Sequence, residues 1–263
     1  MRKLDLTTKP QISVIQSYQL SNTYEHLISI SDDDAATLYE YLSYCWKERA
    51  SFENAEQIRH VLEQYRKGHD EAIRLEPARR IARLMDAARE TGQSFSILEL
   101  GCANGPLVRS LEILGVGDDL KFVGVEPFRP FADDLRKDFP QHSVIDGDAS
   151  SFVDFDFADD TPFDIFYESV TFCMLPPPVV RACLKKAATV CKTIVILDYI
   201  ANGLTPVNVD GNLVFGFYPQ NGQYYFAHNY PQYFSELGWR IADAKMVTHP
   251  DGNSGYGVLV ASA

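Results

Sequence analysis

The strongest structural signal in this 263-residue chain is Ser96-Ile-Leu-Glu-Leu-Gly-Cys-Ala-Asn-Gly-Pro106. An apolar run leads directly into a glycine turn, and Pro106 follows where proline suits the first turn of a helix. Gly101 has no side chain, so its backbone leaves room for a ligand to approach. The stretch therefore predicts a buried strand, a turn and a helix, the unit with which open α/β sheets bind ligands at the carboxyl ends of their strands.

Short apolar runs alternate with helical stretches from Ser94 onward. The predicted strands cover 95–100, 121–126, 142–146, 163–168 and 193–199, and the predicted helices cover 106–115, 129–138 and 177–190. Runs such as Ile194–Leu197 are apolar on both faces, which is typical of a parallel sheet covered by helices on each side. The alternation predicts a doubly wound, mostly parallel α/β sheet.

The last two predicted strands, Arg240–Val247 and Tyr256–Val260, have no helix between them. About eight residues separate them, which is fewer than the dozen that a parallel crossover needs. We therefore expect these strands to pair antiparallel at one edge of the sheet. An insertion at about 202–229 contains two further apolar runs around Pro219-Gln-Asn-Gly222, and we expect a β-hairpin there.

The chain is expected to consist of an N-terminal helical cap, residues 1–93, and a main domain, residues 94–263. Ser31 and the three aspartates that follow it are typical of a helix start. Three helices are predicted in the cap: one through Trp46, one at about 54–67, and one from Pro77 to just before Gly92.

Charge and cysteine content exclude several classes of protein. The chain has 36 acidic residues against 24 Lys and Arg, a net charge of −12, which disfavours binding to nucleic acid or anionic membranes. Its five cysteines form no CxxC pair, which suits a reducing compartment and does not match common zinc-ligand spacings. We expect a cytoplasmic monomer or homodimer without a bound metal.

Acidic residues accompany four successive predicted strands. Glu99 lies within the first strand, Glu126 ends the second, Asp148 follows the third and Glu168 ends the fourth. The carboxyl ends of parallel strands share one edge of a sheet, so we expect these side chains to lie near the glycine turn. An acid that ends the second strand is well placed to bind ribose hydroxyls.

In this order and spacing, residues 94–263 resemble a class I S-adenosylmethionine (SAM)-dependent methyltransferase. The resemblance implies a Rossmann-like, seven-stranded sheet with an antiparallel last strand and SAM as cofactor. It implies that Glu99–Gly105 backs onto the methionine arm, that Glu126 binds the ribose, and that Asp148 and Ala149 contact the adenine. The implied cofactor residues are Glu99, Gly101, Ala103, Glu126, Pro127, Asp148, Ala149 and Glu168. Ala103 stands where many members of the family have glycine.

Two further groups of residues are candidates for chemistry. His228 is the candidate general base, with Glu168 a second candidate catalytic residue. Aromatic residues of the cap and the insertion, together with a loop serine, are candidates for a lid over a small acceptor: Tyr18, Tyr24, Tyr39, Trp46, Ser169, Tyr224 and Tyr225. Such rings attract a sulfonium by cation–π interaction, although packing of the cap onto the sheet explains them equally well.

We expect methyl transfer to a small molecule, in specialised metabolism. One alternative uses the aminobutyrate arm of SAM and releases methylthioadenosine. Another is a catalytically silent, SAM-binding partner subunit. A nicotinamide-dependent oxidoreductase is less favoured, because the turn lacks the G-x-G-x-x-G spacing that such enzymes use.

Overall fold

The computed structural model describes residues 11, 13, 15–18, 27–47, 56, 59–60, 62–63, 66, 72–90, 94–117, 120–157, 162–199, 212–217, 223–248 and 255–263. The strands in these ranges are β1 (Gln16–Tyr18), β2 (Leu27–Ile30), β3 (Phe95–Leu100), β4 (Leu120–Glu126), β5 (Ser143–Asp146), β6 (Phe163–Ser169), β7 (Cys191–Tyr199), β8 (Asn212–Phe217), β9 (Gln223–Phe226), β10 (Arg240–Thr248) and β11 (Gly255–Ser262). The helices are α1 (Asp32–Lys47), α2 (Ala72–Glu90), α3 (Pro106–Ile113), α4 (Arg129–Asp138), α5 (Ala149–Phe152), α6 (Pro177–Val190) and α7 (Tyr230–Glu236), with a 3-10 turn at Phe172–Met174.

The main sheet has the strand order β10-β11-β7-β6-β3-β4-β5 within the described ranges. Strands β3 to β7 pair parallel, whereas β11 pairs antiparallel with both β7 and β10. Alternate residues of a strand point to opposite faces, so Ile97 and Leu98 belong to two different hydrophobic clusters. The predicted mostly parallel seven-stranded sheet with an antiparallel last strand is confirmed.

A second, antiparallel sheet has the order β1-β2-β8-β9, and we call it the cap sheet. It joins the N-terminal segment to the insertion, because β2 pairs with β8. Helix α1 covers this sheet with Ala35, Leu38 and Leu42, which recur at helical spacing and pack against Ile28 and Val214.

The N-terminal region differs from the prediction in two ways. It is not purely helical, because β1 and β2 precede α1. Helix α2 begins at Ala72 rather than at Pro77, and the added residues include Glu76, which forms ion pairs with Arg80 and Lys245. Most of the helix predicted at 54–67 lies outside the described residues. None of the helices in the described ranges has the length and apolar character needed to cross a membrane.

Candidate active site

A cavity of about 330 Å³ lies at the carboxyl ends of the main-sheet strands. Its walls include residues of the main sheet, of α1 and α2, and of β9 in the cap sheet. All of the predicted cofactor residues except Glu168 line it: Glu99, Gly101, Ala103, Glu126, Pro127, Asp148 and Ala149. Helix α1 contributes Tyr39, Leu42 and Ser43, and β9 contributes Tyr225. The volume falls at the lower end of the range found for small-molecule sites.

The glycine turn forms the floor of the cavity. Gly101 has φ of 76°, in the left-handed region that glycine adopts without strain, and Ala103 has φ of 45°. The N–H of Gly101 donates to the carbonyl of Val125 at 2.8 Å, which fixes the turn against β4. A Cβ atom at Gly101 would overlap the hydroxyl oxygen of Thr171. The position therefore requires glycine for its conformation and for its space.

Glu126 is buried at the end of β4, and its carboxylate stabilises the glycine turn by hydrogen bonding. Its Oε2 accepts the N–H of Ala103 at 2.8 Å, and its Oε1 accepts the N–H of Phe128 at 2.9 Å. The carboxylate also lines the cavity, where a ligand hydroxyl could donate to it.

Asp148 occupies the next position along the edge of the sheet. It caps α5, because its Oδ1 accepts the N–H groups of Ser150 at 3.0 Å and Ser151 at 2.9 Å. Helix α1 approaches α5 here, since the Tyr39 hydroxyl lies 3.2 Å from the Ser150 hydroxyl.

Glu99 is a cavity-lining carboxylate only 2% exposed to solvent, and its Oε2 has no hydrogen-bond partner. Burial and the charge of Glu126 raise its pKa well above the usual value, and the Arg74 guanidinium opposes that shift. Arg74 also lines the cavity, from the first turn of α2. Sequence reasoning missed Arg74, because taking Pro77 as a helix start placed it outside the helix.

Glu168 does not line the cavity. It is fully buried on β6, between Tyr167 and Ser169, both of which do line the cavity. Its Oε2 accepts the N–H groups of Thr171 and Phe172, each at 3.1 Å. Burial and the nearby charge of Asp198 raise the pKa of Glu168 well above the usual value. The structure therefore places this carboxylate behind the cavity wall.

His228 also lies away from the cavity lining. Its ring is fully buried, with Nε2 2.8 Å from the carbonyl of Phe172 and Nδ1 3.4 Å from the Tyr233 hydroxyl. A carbonyl only accepts, so Nε2 carries the proton and Nδ1 accepts from Tyr233. Burial lowers the pKa of His228 to about 4. The structure gives this side chain a packing role behind the 3-10 turn rather than access to a substrate.

The pKa of His228 predicts a loss of stability in mild acid. The unfolded chain takes up this proton near pH 6.5, whereas the folded chain resists it down to about pH 4. The contribution is therefore fully present above pH 6.5 and is lost as the pH falls toward 4. We expect about 2 kcal/mol of stability to disappear between pH 7 and pH 5 from this group.

Urea unfolding of the wild type and of His228→Gln at both pH values measures this contribution. Gln retains a donor for the Phe172 carbonyl but does not titrate, so the difference in unfolding free energy between the two proteins should shrink in acid. A constant difference would show that His228 does not titrate in this range.

The predicted lid residues separate into three groups. Tyr39, Ser169 and Tyr225 line the cavity. Tyr224 does not line the cavity and packs against the hydrophobic cluster that α1 forms with the cap sheet. Tyr18 lies in β1 and Trp46 in α1, and Tyr24 lies outside the described residues. Two tyrosines that were not predicted, Tyr167 and Tyr256, also line the cavity.

Several solved methyltransferases have the same architecture. The chain superposes on a Burkholderia thailandensis 1,6-didemethyltoxoflavin-N1-methyltransferase with a TM-score of 0.57 at 14% identity, over 94% of this chain and 98% of the other. A SAM-dependent methyltransferase from Leishmania major gives a TM-score of 0.58 at 14% identity, over 86% and 83% of the two chains. The chain has the class I SAM-dependent methyltransferase fold.

A third structure with the methyltransferase fold is the TehB-like enzyme of Corynebacterium glutamicum, with a TM-score of 0.50 at 16% identity, over 80% of this chain and 99% of the other. No family model matches the sequence, and no curated protein sequence is significantly similar to it. The resemblance inferred from residues 94–263 is confirmed at the level of the fold. Within the described ranges, no group of His, Cys, Asp and Glu side chains is arranged to hold a metal ion.

Proposed function

We propose that this chain is a SAM-dependent methyltransferase that acts on a small-molecule acceptor. The observation that carries the proposal is Glu99, a cavity-lining, buried carboxylate with an oxygen that has no hydrogen-bond partner. A buried polar atom without a partner is costly, and a cationic or hydrogen-bond-donating ligand would satisfy it. The ammonium group of SAM is such a donor, and the glycine turn lies two residues away.

The other polar groups of the cavity fit the remaining parts of SAM. The Arg74 guanidinium, which acts electrostatically on Glu99, would bind the carboxylate of the methionine arm. Glu126, which lines the cavity, would accept hydrogen bonds from the ribose hydroxyls, and Asp148 with Ala149 would contact the adenine. When bound, SAM supplies an electrophilic methyl group on its sulfonium.

The chain's own contribution to the reaction would be to orient the acceptor and to exclude water. Tyr39 and Tyr225 bring the cap over the cavity, and Tyr167 and Tyr256 add aromatic walls from the main sheet. A cavity of about 330 Å³ enclosed in this way suits a small acceptor rather than a macromolecule. The Burkholderia neighbour has 1,6-didemethyltoxoflavin and S-adenosylhomocysteine bound, which supports an acceptor of this class, and we place the reaction in specialised metabolism.

The geometry does not support His228 as a general base, because its ring is buried behind the 3-10 turn. No histidine lies among the described residues that line the cavity. We therefore favour an acceptor atom that is nucleophilic without an imidazole base, such as a neutral amine or a group already ionised at neutral pH.

Calorimetry with SAM and with S-adenosylhomocysteine tests the cofactor, and mass spectrometry of reactions with pooled small molecules tests the chemistry. We expect binding of both compounds and release of S-adenosylhomocysteine. Methylthioadenosine as product would instead establish transfer of the aminobutyrate arm. Binding without turnover of any acceptor would favour a silent partner subunit, and no binding would refute the proposal.

Arg74→Met should weaken the affinity for S-adenosylhomocysteine about 10-fold, the lower end of what a charged hydrogen bond contributes. Methylthioadenosine lacks the amino-acid group, so its affinity should not change. Arg79→Met is the matched control, because Arg79 is an exposed arginine of the same helix. Equal losses for the two ligands would remove Arg74 from the carboxylate site.

A further inference from the structure

The chain turns sharply after β6 through a residue in an unfavourable conformation. Val170 has φ of 55°, in the left-handed region that β-branched residues seldom adopt. Its N–H donates to the carbonyl of Leu197 at 2.8 Å, which anchors it to β7. Such a conformation persists only where surrounding contacts impose it, and it is often found at functional sites.

Glu168 provides contacts on the other side of this turn. Its buried Oε2 accepts the next two N–H groups of the chain, those of Thr171 and Phe172. Two hydrogen bonds to one carboxylate oxygen fix the start of the 3-10 turn relative to the end of β6. The other oxygen, Oε1, has no hydrogen-bond partner. Within the described residues, this carboxylate therefore forms hydrogen bonds only to the turn.

Thr171, one of the two residues whose N–H groups Glu168 binds, contacts the glycine turn at the cavity wall. Its hydroxyl lies 3.4 Å from the carbonyl oxygens of Leu100 and of Ser169, so it joins the ends of β3 and β6. The same side chain packs so closely on Gly101 that a Cβ there would overlap it. Val170 and Thr171 both line the cavity, so displacement of the turn would move the wall that faces the glycine turn.

We propose that Glu168 is a positioning residue that holds Val170 and Thr171 against the Gly101 turn and so shapes the cofactor-binding wall of the cavity. The expected effect on cofactor binding rests on the proposed function, whereas the fixing of the turn rests on the contacts of Glu168. Without the two hydrogen bonds, Val170 would relax from its left-handed conformation, and Thr171 would move with it.

Three variants test the proposal by calorimetry with S-adenosylhomocysteine. Glu168→Met retains the buried volume but has no oxygen acceptor, and we expect at least a 10-fold loss of affinity. Glu168→Gln keeps an amide oxygen in place of Oε2, so its affinity should stay within about threefold of the wild type. The control is Asp164→Ala, at the opposite end of β6, where Asp164 accepts the N–H of Ser96 at 2.8 Å and does not line the cavity. It should lower stability without changing affinity.

A second substitution in the Glu168→Met background separates positioning from general loss of stability. Glycine adopts the left-handed conformation without strain, so adding Val170→Gly should recover part of the lost affinity. Wild-type affinity in Glu168→Met, equal losses in Glu168→Met and Glu168→Gln, equal losses in Asp164→Ala, or no recovery with Val170→Gly would each overturn the proposal.

Amide hydrogen exchange in the ligand-free protein gives a readout that does not depend on the proposed function. Exchange at Thr171 and Phe172 should be faster in Glu168→Met and unchanged in Glu168→Gln. If the wild type fails to bind S-adenosylhomocysteine, the proposed function fails, whereas the exchange rates still decide whether Glu168 fixes the turn. Unchanged exchange in Glu168→Met would overturn this inference while leaving the proposed function intact.

Discussion

Replacing Gly101 with alanine should weaken the binding of S-adenosylhomocysteine by about 100-fold or more, the largest effect that we expect from a single methyl group. The residue has φ of 76°, which strains any L side chain, and the new Cβ would overlap the Thr171 hydroxyl. Strain and overlap together disfavour the native turn by about 3 kcal/mol, which corresponds to that change in affinity. Calorimetry on the folded variant measures it.

Gly115→Ala is the matched control for this substitution. Gly115 also has a positive φ, 73°, but nothing lies within 4 Å of the position that a Cβ would take. It should therefore lower the stability of the fold by the conformational strain alone and leave the affinity unchanged. If both variants bind S-adenosylhomocysteine as the wild type does, the glycine turn is not part of the cofactor site.

Glu126→Ala should weaken the affinity for S-adenosylhomocysteine about 10- to 100-fold. The substitution removes the proposed acceptor for the ribose hydroxyls, and a hydrogen bond to a charged group contributes about 1.5–3 kcal/mol. It also leaves the buried N–H groups of Ala103 and Phe128 without their acceptor, so the turn itself loses support. A competition assay with the 2′,3′-dideoxy analogue of S-adenosylhomocysteine, which keeps the methionine arm but lacks the ribose hydroxyls, separates the two effects, because the loss of affinity for this analogue reports only on the turn.

Asp146→Ala provides the comparison for Glu126. Asp146 ends the neighbouring strand in register with Glu126, but its side chain is 62% exposed and pairs with Arg136 at the surface. Its removal should not change cofactor affinity. Equal affinities for the two alanine variants would contradict the assignment of Glu126 to the ribose.

The main sheet was predictable because its signals are local. Each strand is a short apolar run bounded by a turn or a helix start, and the short connection before Tyr256 left only antiparallel pairing for the last two strands. The cap strands β1 and β2 were missed because β1 has three residues and β2 has four, and their sequences have no turn signal of their own. What makes Leu27–Ile30 a strand is its pairing with β8, far along the chain.

The cofactor positions were predictable to the extent that strand ends determine them. Spacing indicates where a strand ends, but it does not reveal which face a side chain occupies there. Glu168 shows the difference, since its neighbours Tyr167 and Ser169 line the cavity while its own carboxylate lies behind the wall. His228 is a second example, because the sequence places it near the insertion but does not reveal that its ring is buried away from the cavity.

The cap sheet has a consequence for the order in which this chain acquires its structure. Leu27 pairs with Phe215, so five of the seven main-sheet strands, β3 to β7, lie within the loop that this contact closes. Closing so long a loop costs conformational entropy, and contacts of high sequence separation slow folding. On the ribosome, the apolar strand Leu27–Ile30 emerges early with only the three-residue strand β1 beside it, and its other edge has no partner until residue 212 and those after it have been synthesised. We expect the parallel strands β3 to β7 to associate before the cap sheet is complete, so that the nascent chain carries a hydrophobic strand with one unpaired edge for most of its synthesis.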